Sequence, residues 1–277
     1  MTKLARKVAV VTGAGSGIGR ALAIELAKRK ARLALSDVDA EGLAATVEEV
    51  KSLGADVHSQ VLDVSDRTAV ADYASGVQEH YGVVNQVYNN AGIAGGSTTV
   101  LDTTYAAYER ILAVNLWGVI HGTKEFLPHL ISSGDGHVVN ISSVNGIMGQ
   151  ASLSGYCASK FAVRGFTESL RAEMLKAGHP VRVTVVHPGG VRTNIATAAL
   201  TEAQAAGLAT PEQEHRTRMY NEKLLRMPAE RAAEIILDGV EAGKSRIIVG
   251  SDARGLDLLV RLLPRLYPRL TSRLLPG

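Results

Sequence analysis

The sequence has almost no cysteine, no long apolar run and no strong excess of charge of either sign. Cys157 is the single cysteine among 277 residues, which excludes an intrachain disulfide and favours a reducing compartment. No stretch reaches the roughly 20 apolar residues that a membrane-spanning helix requires. The apolar run at residues 8–11 is also too short for a signal peptide. A soluble, cytoplasmic protein is therefore expected.

The charges nearly cancel, and no part of the chain stands apart by its composition. The net charge is +3 with 21% charged residues, an excess too weak to indicate nucleic acid as a partner. The 46% hydrophobic content is enough for a substantial core in a chain of this length. Because no repeat, low-complexity tract or linker divides the sequence, residues 1–277 are predicted to form one domain.

A glycine-rich turn joins the first predicted strand to the first predicted helix. Residues 8–11 are wholly apolar, as in strands buried within parallel sheets, and residues 20–30 have a helical pattern. Between them lie Gly13, Gly17 and Gly19. Glycines let the backbone approach a pyrophosphate, and a helix N-terminus directs amides and a positive dipole at it. The spacing is G-x-x-x-G-x-G and could mark a plain turn, but its position favours a nucleotide site.

Asp37 follows the second predicted strand, residues 32–35, and lies 18 residues beyond Gly19 (37 − 19). A carboxylate near this offset bonds the adenosine ribose hydroxyls in dinucleotide-binding folds. It would repel the 2′-phosphate of NADP, and neither residue 36 nor residue 38 is basic. The sequence therefore favours NAD over NADP. The alternative is that Asp37 or Asp39 caps the helix predicted at residues 41–53.

Strand and helix patterns alternate along the rest of the chain, which is typical of an α/β fold with a parallel sheet. Further strands are predicted at residues 57–62, 83–88, 136–143, 181–186 and 246–249. Further helices are predicted at residues 66–81, 104–132, 153–176 and 228–243. Such sheets bind ligands beyond the carboxyl ends of their strands.

Tyr156 and Lys160 are spaced four residues apart on a predicted helix and share one of its faces. A tyrosine hydroxyl is a poor base at its reference pKa of about 10, but a neighbouring ammonium favours the phenolate. Ser143, at the end of a predicted strand, would add a hydroxyl at the ligand-binding edge. The three groups suit carbonyl–alcohol chemistry. The alternative is a surface pair on an ordinary helix.

Six motifs together resemble those of the classical short-chain dehydrogenases/reductases in order and spacing, over roughly residues 5–250. The motifs are Thr12-Gly13-x-x-x-Gly17-x-Gly19, Asn89-Asn90-Ala91-Gly92, Asn115, Ser143, Tyr156-x-x-x-Lys160 and Pro188-Gly189. The resemblance implies a single-domain Rossmann fold, a doubly wound seven-stranded parallel sheet with helices on both faces. It also implies a homodimer or homotetramer.

The resemblance implies functional residues in this chain, and it implies no metal site. Asn115, Ser143, Tyr156 and Lys160 would form a catalytic tetrad. Residues implied to bind the cofactor are Gly13, Ser16, Gly17, Ile18, Gly19, Asp37, Asp63, Val64, Asn90, Ala91, Gly92, Tyr156, Lys160, Pro188, Gly189, Val191 and Thr193.

The mechanism implied is reversible hydride transfer between an alcohol or carbonyl and a nicotinamide. Ser143 would hold the substrate oxygen, and Tyr156 would exchange its proton. Lys160 would lower the pKa of Tyr156 and contact the nicotinamide ribose, and Asn115 would hold a water that links Lys160 to solvent. NAD-linked oxidation of a hydrophobic alcohol is favoured. An NADPH-dependent ketone reductase on the same scaffold and a dinucleotide-binding scaffold without turnover are the alternatives.

Residues 194–227 lie where the family places its substrate lid, although a helical surface decoration is the alternative. Apolar residues in this segment, with the leucine-rich tail, favour a hydrophobic alcohol or ketone as the substrate. These lid residues are Met219, Leu224 and Leu225.

Residues 254–277 exceed the family core and combine leucines with regularly spaced arginines. Arg261, Arg265, Arg269 and Arg273 recur every four residues, while Pro264 and Pro268 argue against one continuous helix. A basic stripe beside an apolar face can lie on an anionic membrane surface. The alternatives are packing on its own domain, on a sister subunit or over the substrate cleft. We expect most of these leucines to be covered, by a neighbouring subunit at its active-site mouth.

Two predicted helices, residues 104–132 and 153–176, would pack against their symmetry mates in the expected oligomer. Their apolar side chains supply area for that contact, although part of it must face the sheet. These side chains are Leu116, Trp117, Phe161, Val163 and Phe166.

Overall fold

The computed structural model describes residues 4–95, 98–205, 207 and 209–274, which form one domain around a seven-stranded parallel sheet. The strands are β1 (Val8–Thr12), β2 (Arg32–Asp37), β3 (Val57–Val61), β4 (Gln86–Asn89), β5 (Gly136–Ile141), β6 (Val181–Pro188) and β7 (Arg246–Val249). Their order in the sheet is β3-β2-β1-β4-β5-β6-β7. The predicted fold is confirmed.

Helices connect the strands and cover both faces of the sheet. They are α1 (Gly17–Lys28), α2 (Ala40–Ser52), α3 (Arg67–Tyr81), α4 (Tyr105–Leu112), α5 (Gly118–Ser132), α6 (Ser154–Ala177), α7 (Ile195–Ala205), α8 (Pro211–Met219), α9 (Ala229–Glu241), α10 (Ser251–Leu262) and α11 (Tyr267–Leu274). Helix α1 begins at Gly17, three residues before the predicted start, so its first turn lies within the glycine motif.

Strand β1 lies between β2 and β4, so the direction of winding reverses there. Such a switch point opens a crevice beyond the carboxyl ends of the two central strands. The glycine-rich turn follows β1, and the Asn89-Asn90-Ala91-Gly92 motif starts at the end of β4. The fold therefore brings these two predicted motifs together.

A separate apolar core lies on each face of the sheet. Helices α1, α2 and α9 bury side chains such as Leu22 and Ile236 against one face. Helices α3, α5 and α6 bury side chains such as Tyr73, Phe126 and Leu170 against the other. Because both faces are covered, β1 is buried along its whole length and is apolar up to Thr12, which is the pattern that made it recognisable as a strand.

The helix starts follow local capping chemistry. Asp39 caps α2 by accepting from the amides of Glu41 and Gly42, and Asp66 caps α3 in the same way. Of the two candidate caps for α2, Asp39 makes the contact. The carboxylate of Asp37 is left for the loop at the ligand-binding edge.

The helix predicted over residues 104–132 is interrupted by a π-helical turn, Ala113–Trp117, which separates α4 from α5. Its extra residue places Asn115 in a fully buried position. A π-turn inside a helix is often found at a functional site. The continuous helix that was predicted is therefore wrong at this point.

The tail forms two short helices with a break at Pro264, as the prolines predicted. Helix α10 packs on its own chain through buried Ala253 and through Asp257, which accepts from Arg246 of β7 at 2.7 Å and from Arg261 at 3.1 Å. Arg261 is therefore paired inside its own chain.

We expected a neighbouring subunit to cover most of the tail leucines. On the single chain, most of these leucines are exposed. These are Leu258, Leu262, Leu263, Leu266 and Leu270. The side chain of Arg273 and residues 275–277 lie outside the described residues, as do Ala206 and Leu208 of the predicted lid. No helix in the described ranges is both long and apolar enough to cross a membrane.

Candidate functional site

The glycine-rich turn has a backbone that admits no side chains at three positions. Gly13 and Gly17 have φ angles of +67° and +51°, in the left-handed region that favours glycine. A Cβ on Gly13 would lie 2.8 Å from the Cα of Ala91, and one on Gly19 would overlap the Gly13 carbonyl. The sequence motif therefore reflects close packing of the β1 and β4 turns, and Gly17 and Ile18 at the start of α1 line the crevice.

Asn90 and Thr12 fasten the two turns to each other. The Thr12 hydroxyl accepts from the amides of Asn90 and Ala91, each at 3.1 Å. In return, the Asn90 side-chain amide donates to the carbonyls of Thr12 at 2.9 Å and Gly13 at 3.1 Å. The Asn90 side chain thus supports the crevice wall.

Asp37 forms the acidic end of the crevice. Its Oδ2 accepts from the Gly15 amide at 2.7 Å, and its Oδ1 accepts from the Asp39 amide at 2.9 Å. The neighbouring lining residues are Val38, Asp39, Leu62 and Asp63, none of which is basic. This end of the crevice therefore suits a neutral hydroxyl pair better than a phosphate.

One cavity of about 1290 Å³ brings the predicted site residues together. All the residues expected to bind the cofactor line it except Gly19, which lies beneath the turn. Ser143, Tyr156 and Lys160 line it as well, whereas Asn115 lies behind the wall. The sequence did not identify the further lining residues Asn145, Met148, Gln150, Leu153, Tyr220, Asp252 and Leu256.

Tyr156 and Ser143 face each other at the inner end of the cavity. Burial raises the pKa of the Tyr156 phenol to about 12, and a side-chain hydrogen bond with Ser143 works in the opposite direction. The Ser143 oxygen also accepts from the Asn145 amide at 3.1 Å. Because a serine hydroxyl has one proton to donate, that acceptance leaves its proton for an oxygen in the cavity.

Lys160 is buried in the cavity wall, one helical turn after Tyr156. Its Nζ donates to the Ile141 carbonyl at 3.1 Å and lies 5.7 Å from the centre of the Tyr156 ring. Burial lowers the pKa of Lys160 to about 8. The ammonium is therefore near the phenol, but the influence that lowers the Tyr156 pKa in this structure is Ser143.

Asn115 uses its side chain to hold the loop after β4. Its Oδ1 accepts from the Ile93 amide at 2.8 Å, while its Nδ2 donates to the Ile93 carbonyl at 2.9 Å and to Ser159 at 3.1 Å. A Cβ on Gly92 would lie 3.2 Å from Asn115 Oδ1 and 3.3 Å from Lys160 Nζ. Gly92 therefore marks where this amide and the ammonium approach each other.

His187 lies directly beneath Ser143, a role that the sequence did not reveal. The carbonyl of Ser143 lies 2.9 Å from His187 Nδ1, so that ring nitrogen carries the donated proton. Burial lowers the pKa of His187 to about 4. A neutral imidazole therefore fixes the backbone of Ser143. Pro188 and Gly189, two of the predicted cofactor residues, follow His187 directly in the chain.

Asp252, at the start of α10, connects the tail to the loop after β6. Its Oδ2 accepts from the Gly190 amide at 2.7 Å. The carbonyl of Gly190 accepts from the amides of Arg226 and Met227, at 3.0 Å and 3.1 Å. The predicted cofactor loop, the end of the lid and the tail therefore meet at one residue, Gly190.

The lid covers the cavity with a largely apolar surface. Of the three lid side chains singled out from the sequence, Leu224 and Leu225 line the cavity and Met219 does not. Leu256 of α10 lines the same cavity. The tail therefore contributes to the site of its own chain, whereas the sequence led us to expect it at a neighbour's active-site mouth.

Comparison with known proteins gives a consistent result. The pattern of the short chain dehydrogenase family matches residues 7–204. A Mycobacterium tuberculosis protein named "Putative oxidoreductase SadH" is 50% identical over 264 residues, covering 95% of this chain and 93% of that protein. Levodione reductase of Leifsonia aquatica is 37% identical over 194 residues, covering 69% and 72%.

A solved structure resembles the whole chain. It is a short chain dehydrogenase/reductase from Burkholderia phymatum in complex with NAD, with a TM-score of 0.85 and 29% identity. The likeness covers 100% of this chain and 98% of the other.

Proposed function

This chain belongs to the short-chain dehydrogenase family, and we propose that it oxidises an apolar secondary alcohol with NAD, using Tyr156 as the general base. Family membership makes the protein an oxidoreductase that acts on alcohols or ketones with a nicotinamide dinucleotide. The observation that carries the proposal is one cavity with Asp37 at one end and Tyr156, Ser143 and Lys160 at the other.

The cavity fits a dinucleotide because its wall has glycines at the turn after β1 and no basic side chain next to Asp37 in the sequence. A Cβ on Gly13 would push apart the β1 and β4 turns where the pyrophosphate would bind. A basic side chain beside Asp37 would change the charge where the ribose would bind. The glycine turn would hold the pyrophosphate, Asp37 the adenosine ribose, Asp63 and Val64 the adenine, Lys160 the second ribose and Thr193 the carboxamide. When bound, the oxidised nicotinamide accepts a hydride from the alcohol carbon, and its positive charge favours a nearby phenolate.

Each side chain at the inner end then has one task. Ser143 donates its proton to the alcohol oxygen and holds it in place. Tyr156, as phenolate, removes the hydroxyl proton while the carbon–oxygen double bond forms and the two electrons of the C–H bond leave with the hydride. Because burial raises the Tyr156 pKa to about 12, the proposed reaction requires a positive charge that favours the phenolate, and Lys160 Nζ, 5.7 Å from the centre of the Tyr156 ring, would supply it.

Asn115 supports this centre from behind the wall. Its contacts with Ile93 fix the loop beside Lys160, and we assign to the same corner the water that links the ammonium to solvent. Protons removed by Tyr156 would leave by that route.

The NADP-linked alternative meets an acidic surface. Asp37, Asp39 and Asp63 line the ribose end of the cavity, and a 2′-phosphate there would face carboxylates. The scaffold without turnover is disfavoured because all four catalytic groups are present and three of them line one cavity.

An apolar substrate is supported by the lining around Tyr156. Val144, Met148, Leu153, Leu224 and Leu225 line the same cavity as Tyr156. The name of one relative, levodione reductase, supports carbonyl–alcohol chemistry. Burial of methylene groups against such a wall contributes about 0.8 kcal/mol each.

The most direct test is a panel of secondary alcohols, graded from polyols to long aliphatic and alicyclic alcohols, assayed with NAD and with NADP. We expect NADH formation to be fastest with the apolar members, and NADP to be a poor acceptor with all of them. A preference for polyols or sugars would refute the apolar substrate. Turnover with none of the alcohols or the matching ketones would refute the reaction itself.

We also propose a homodimer or homotetramer that uses the outer faces of the helical segments of residues 104–132 and 153–176. Trp117 is 52% exposed and Phe161 is 40% exposed, so both are available for a contact between subunits. Val163 is fully buried in its own chain, and its place in the expected interface is therefore a correction. Sedimentation of Trp117→Ser and Phe161→Ser variants would show whether these residues hold the oligomer.

A further inference from the structure

A chain of hydrogen bonds runs from the lid to the predicted catalytic serine. The Nε2 of Gln150 donates to the phenol oxygen of Tyr220, in the π-helical turn Tyr220–Leu224. The Oε1 of Gln150 accepts from Asn145 Nδ2 at 3.1 Å. The backbone N–H of Asn145 donates to Ser143 Oγ, also at 3.1 Å. The chain ends at Tyr156, which shares a side-chain hydrogen bond with Ser143.

These five residues all line the cavity, and they come from opposite walls. Ser143, Asn145 and Gln150 belong to the connection between β5 and α6, whereas Tyr220 belongs to the lid. Tyr220 is close enough to Tyr156 for the two phenols to interact electrostatically. The bond between Gln150 and Tyr220 therefore closes the lid across the space next to the general base.

Gln150 cannot change its orientation without affecting both walls. One end of its amide accepts from Asn145 while the other end donates to the lid, so a rotation that breaks one bond breaks both. Asn145 in turn uses its backbone amide to occupy an acceptor site of Ser143. The direction of the Ser143 proton thereby depends on the position of the lid, through the side chains of Gln150 and Asn145.

We propose that Gln150 and Tyr220 form a latch that closes the described part of the lid over the cavity, and that Asn145 transmits the closed position to Ser143. The inference rests on the proposed function and deepens it, because it makes Gln150, Tyr220 and Asn145 positioning residues for the alcohol. Ser143 is held ready to donate when the latch is made. With the latch open, the lid moves and Ser143 loses its fixed orientation.

The latch is tested with the full chain in five variants. Tyr220→Phe and Gln150→Leu each break the latch, and their double variant removes both partners. Gln150→Glu keeps it, because the tyrosine hydroxyl can donate to the carboxylate. Tyr105→Phe, at an 88% exposed position in α4, is the matched control.

Two readouts separate a latch from a general structural role. Hydrogen–deuterium exchange should speed up about fivefold in peptides covering residues 211–224 of Tyr220→Phe and Gln150→Leu, the scale of one lost hydrogen bond. The kcat for a secondary alcohol should fall by about the same factor, with the Kd for NAD within about twofold of wild type. The double variant should resemble either single variant, and Gln150→Glu and Tyr105→Phe should resemble wild type.

Asn145→Ala tests the transmission step alone. It removes the side-chain bond that ties Asn145 to Gln150, while the backbone amide of residue 145 and both partners of the Gln150–Tyr220 bond remain, so we expect slower turnover with unchanged exchange in residues 211–224. Unchanged turnover would overturn the transmission, and unchanged exchange in both latch variants would overturn the latch. Additive losses in the double variant would also overturn it, since the partners would then act separately. If wild type oxidises no alcohol, the proposed function fails, and the exchange data still decide the latch.

Discussion

The amide of Gly15 donates a 2.7 Å hydrogen bond to Oδ2 of Asp37, 22 residues further along the chain. The glycine turn that would receive the pyrophosphate is thereby fixed by the carboxylate that would receive the ribose. A substitution at Asp37 consequently changes two parts of the cofactor site at once. This contact explains why cofactor choice and cofactor affinity should change together.

Asp37→Ser should weaken NAD binding and reduce the preference for NAD over NADP. The serine hydroxyl keeps an acceptor for Gly15 but removes the negative charge that faces a 2′-phosphate. We expect the NAD Kd to rise by about tenfold, equivalent to about 1.4 kcal/mol. Calorimetric titration of both oxidised cofactors measures the change. Asp39→Ser is the control for charge in the same loop, and tighter binding of NADP than NAD by wild type would contradict the assignment.

Tyr156→Phe should abolish turnover and leave NAD binding nearly unchanged, because the hydroxyl serves the proton transfer. Lys160→Gln should damage both and shift the pH profile. Removing the ammonium disfavours the phenolate, so the rise of kcat/KM with pH should move to higher pH. Stopped-flow assays of alcohol oxidation across pH would detect the shift. Tyr156→Phe activity within about tenfold of wild type, a loss under about 1.4 kcal/mol, would exclude Tyr156 as the base.

Two buried histidines should make the fold sensitive to mild acid. Burial lowers the pKa of His137 to about 3 and that of His187 to about 4, from an ordinary value of 6.5. Because the unfolded chain takes up these protons first, stability should fall as pH drops from about 6.5 towards 4. Each histidine contributes a slope of about 1.4 kcal/mol per pH unit within that window.

Urea unfolding at several pH values measures this slope. His137→Gln should be less stable at neutral pH but should lose less stability on acidification. His179→Gln, at an exposed position after α6, is the matched control and should keep the slope of wild type. An equal slope in His137→Gln and wild type would show that His137 is not the group responsible.

Two truncations should separate the two roles of the tail. Ending the chain after Gly250 removes Asp252 and Leu256, and we expect KM to rise with weakened assembly. Removing residues 264–277 keeps α10 and deletes only α11 and its flanks. At roughly 25 cal/mol per Å² of apolar area, covering the exposed leucines would contribute several kcal/mol to an assembly.

Sedimentation velocity and steady-state kinetics of both truncations distinguish these effects. The shorter deletion should weaken the oligomer and leave KM within about twofold of wild type, because Asp252 remains on Gly190. An oligomer that both truncations leave intact would show that the tail takes no part in assembly. Binding to vesicles of anionic lipid would then be the next measurement.

Local patterns predicted most of the fold, because strands buried on both faces and amphipathic helices leave periodic signals. The glycine turn and the Tyr156–Lys160 spacing were equally local. What the sequence could not predict depends on distant segments meeting. Asp252 contacts Gly190 across 62 residues, and Tyr220 contacts Gln150 across 70. No spacing rule connects such pairs.

The π-turn at Ala113–Trp117 shows a second limit. Its residues are ordinary helix formers, and the helical pattern continues through it. The family resemblance placed Asn115 in the catalytic tetrad, but the partner of its side-chain oxygen, the backbone amide of Ile93, lies in a loop without periodicity. The position of the Asn115 side chain depends on this contact with a distant loop, so the sequence predicted that the residue matters but did not predict its contacts.

The burial of Lys160 makes the proposed reaction centre a weak point of the folded protein. Lys160 is 3% exposed, and burial lowers its pKa from 10.5 to about 8, so the full cost of keeping it charged applies below about pH 8. As pH rises from 8 towards 10.5, that cost is relieved. Lys160→Met should therefore melt at a higher temperature than wild type at neutral pH while losing all turnover. The protein gives up stability to keep a charge where the chemistry needs it.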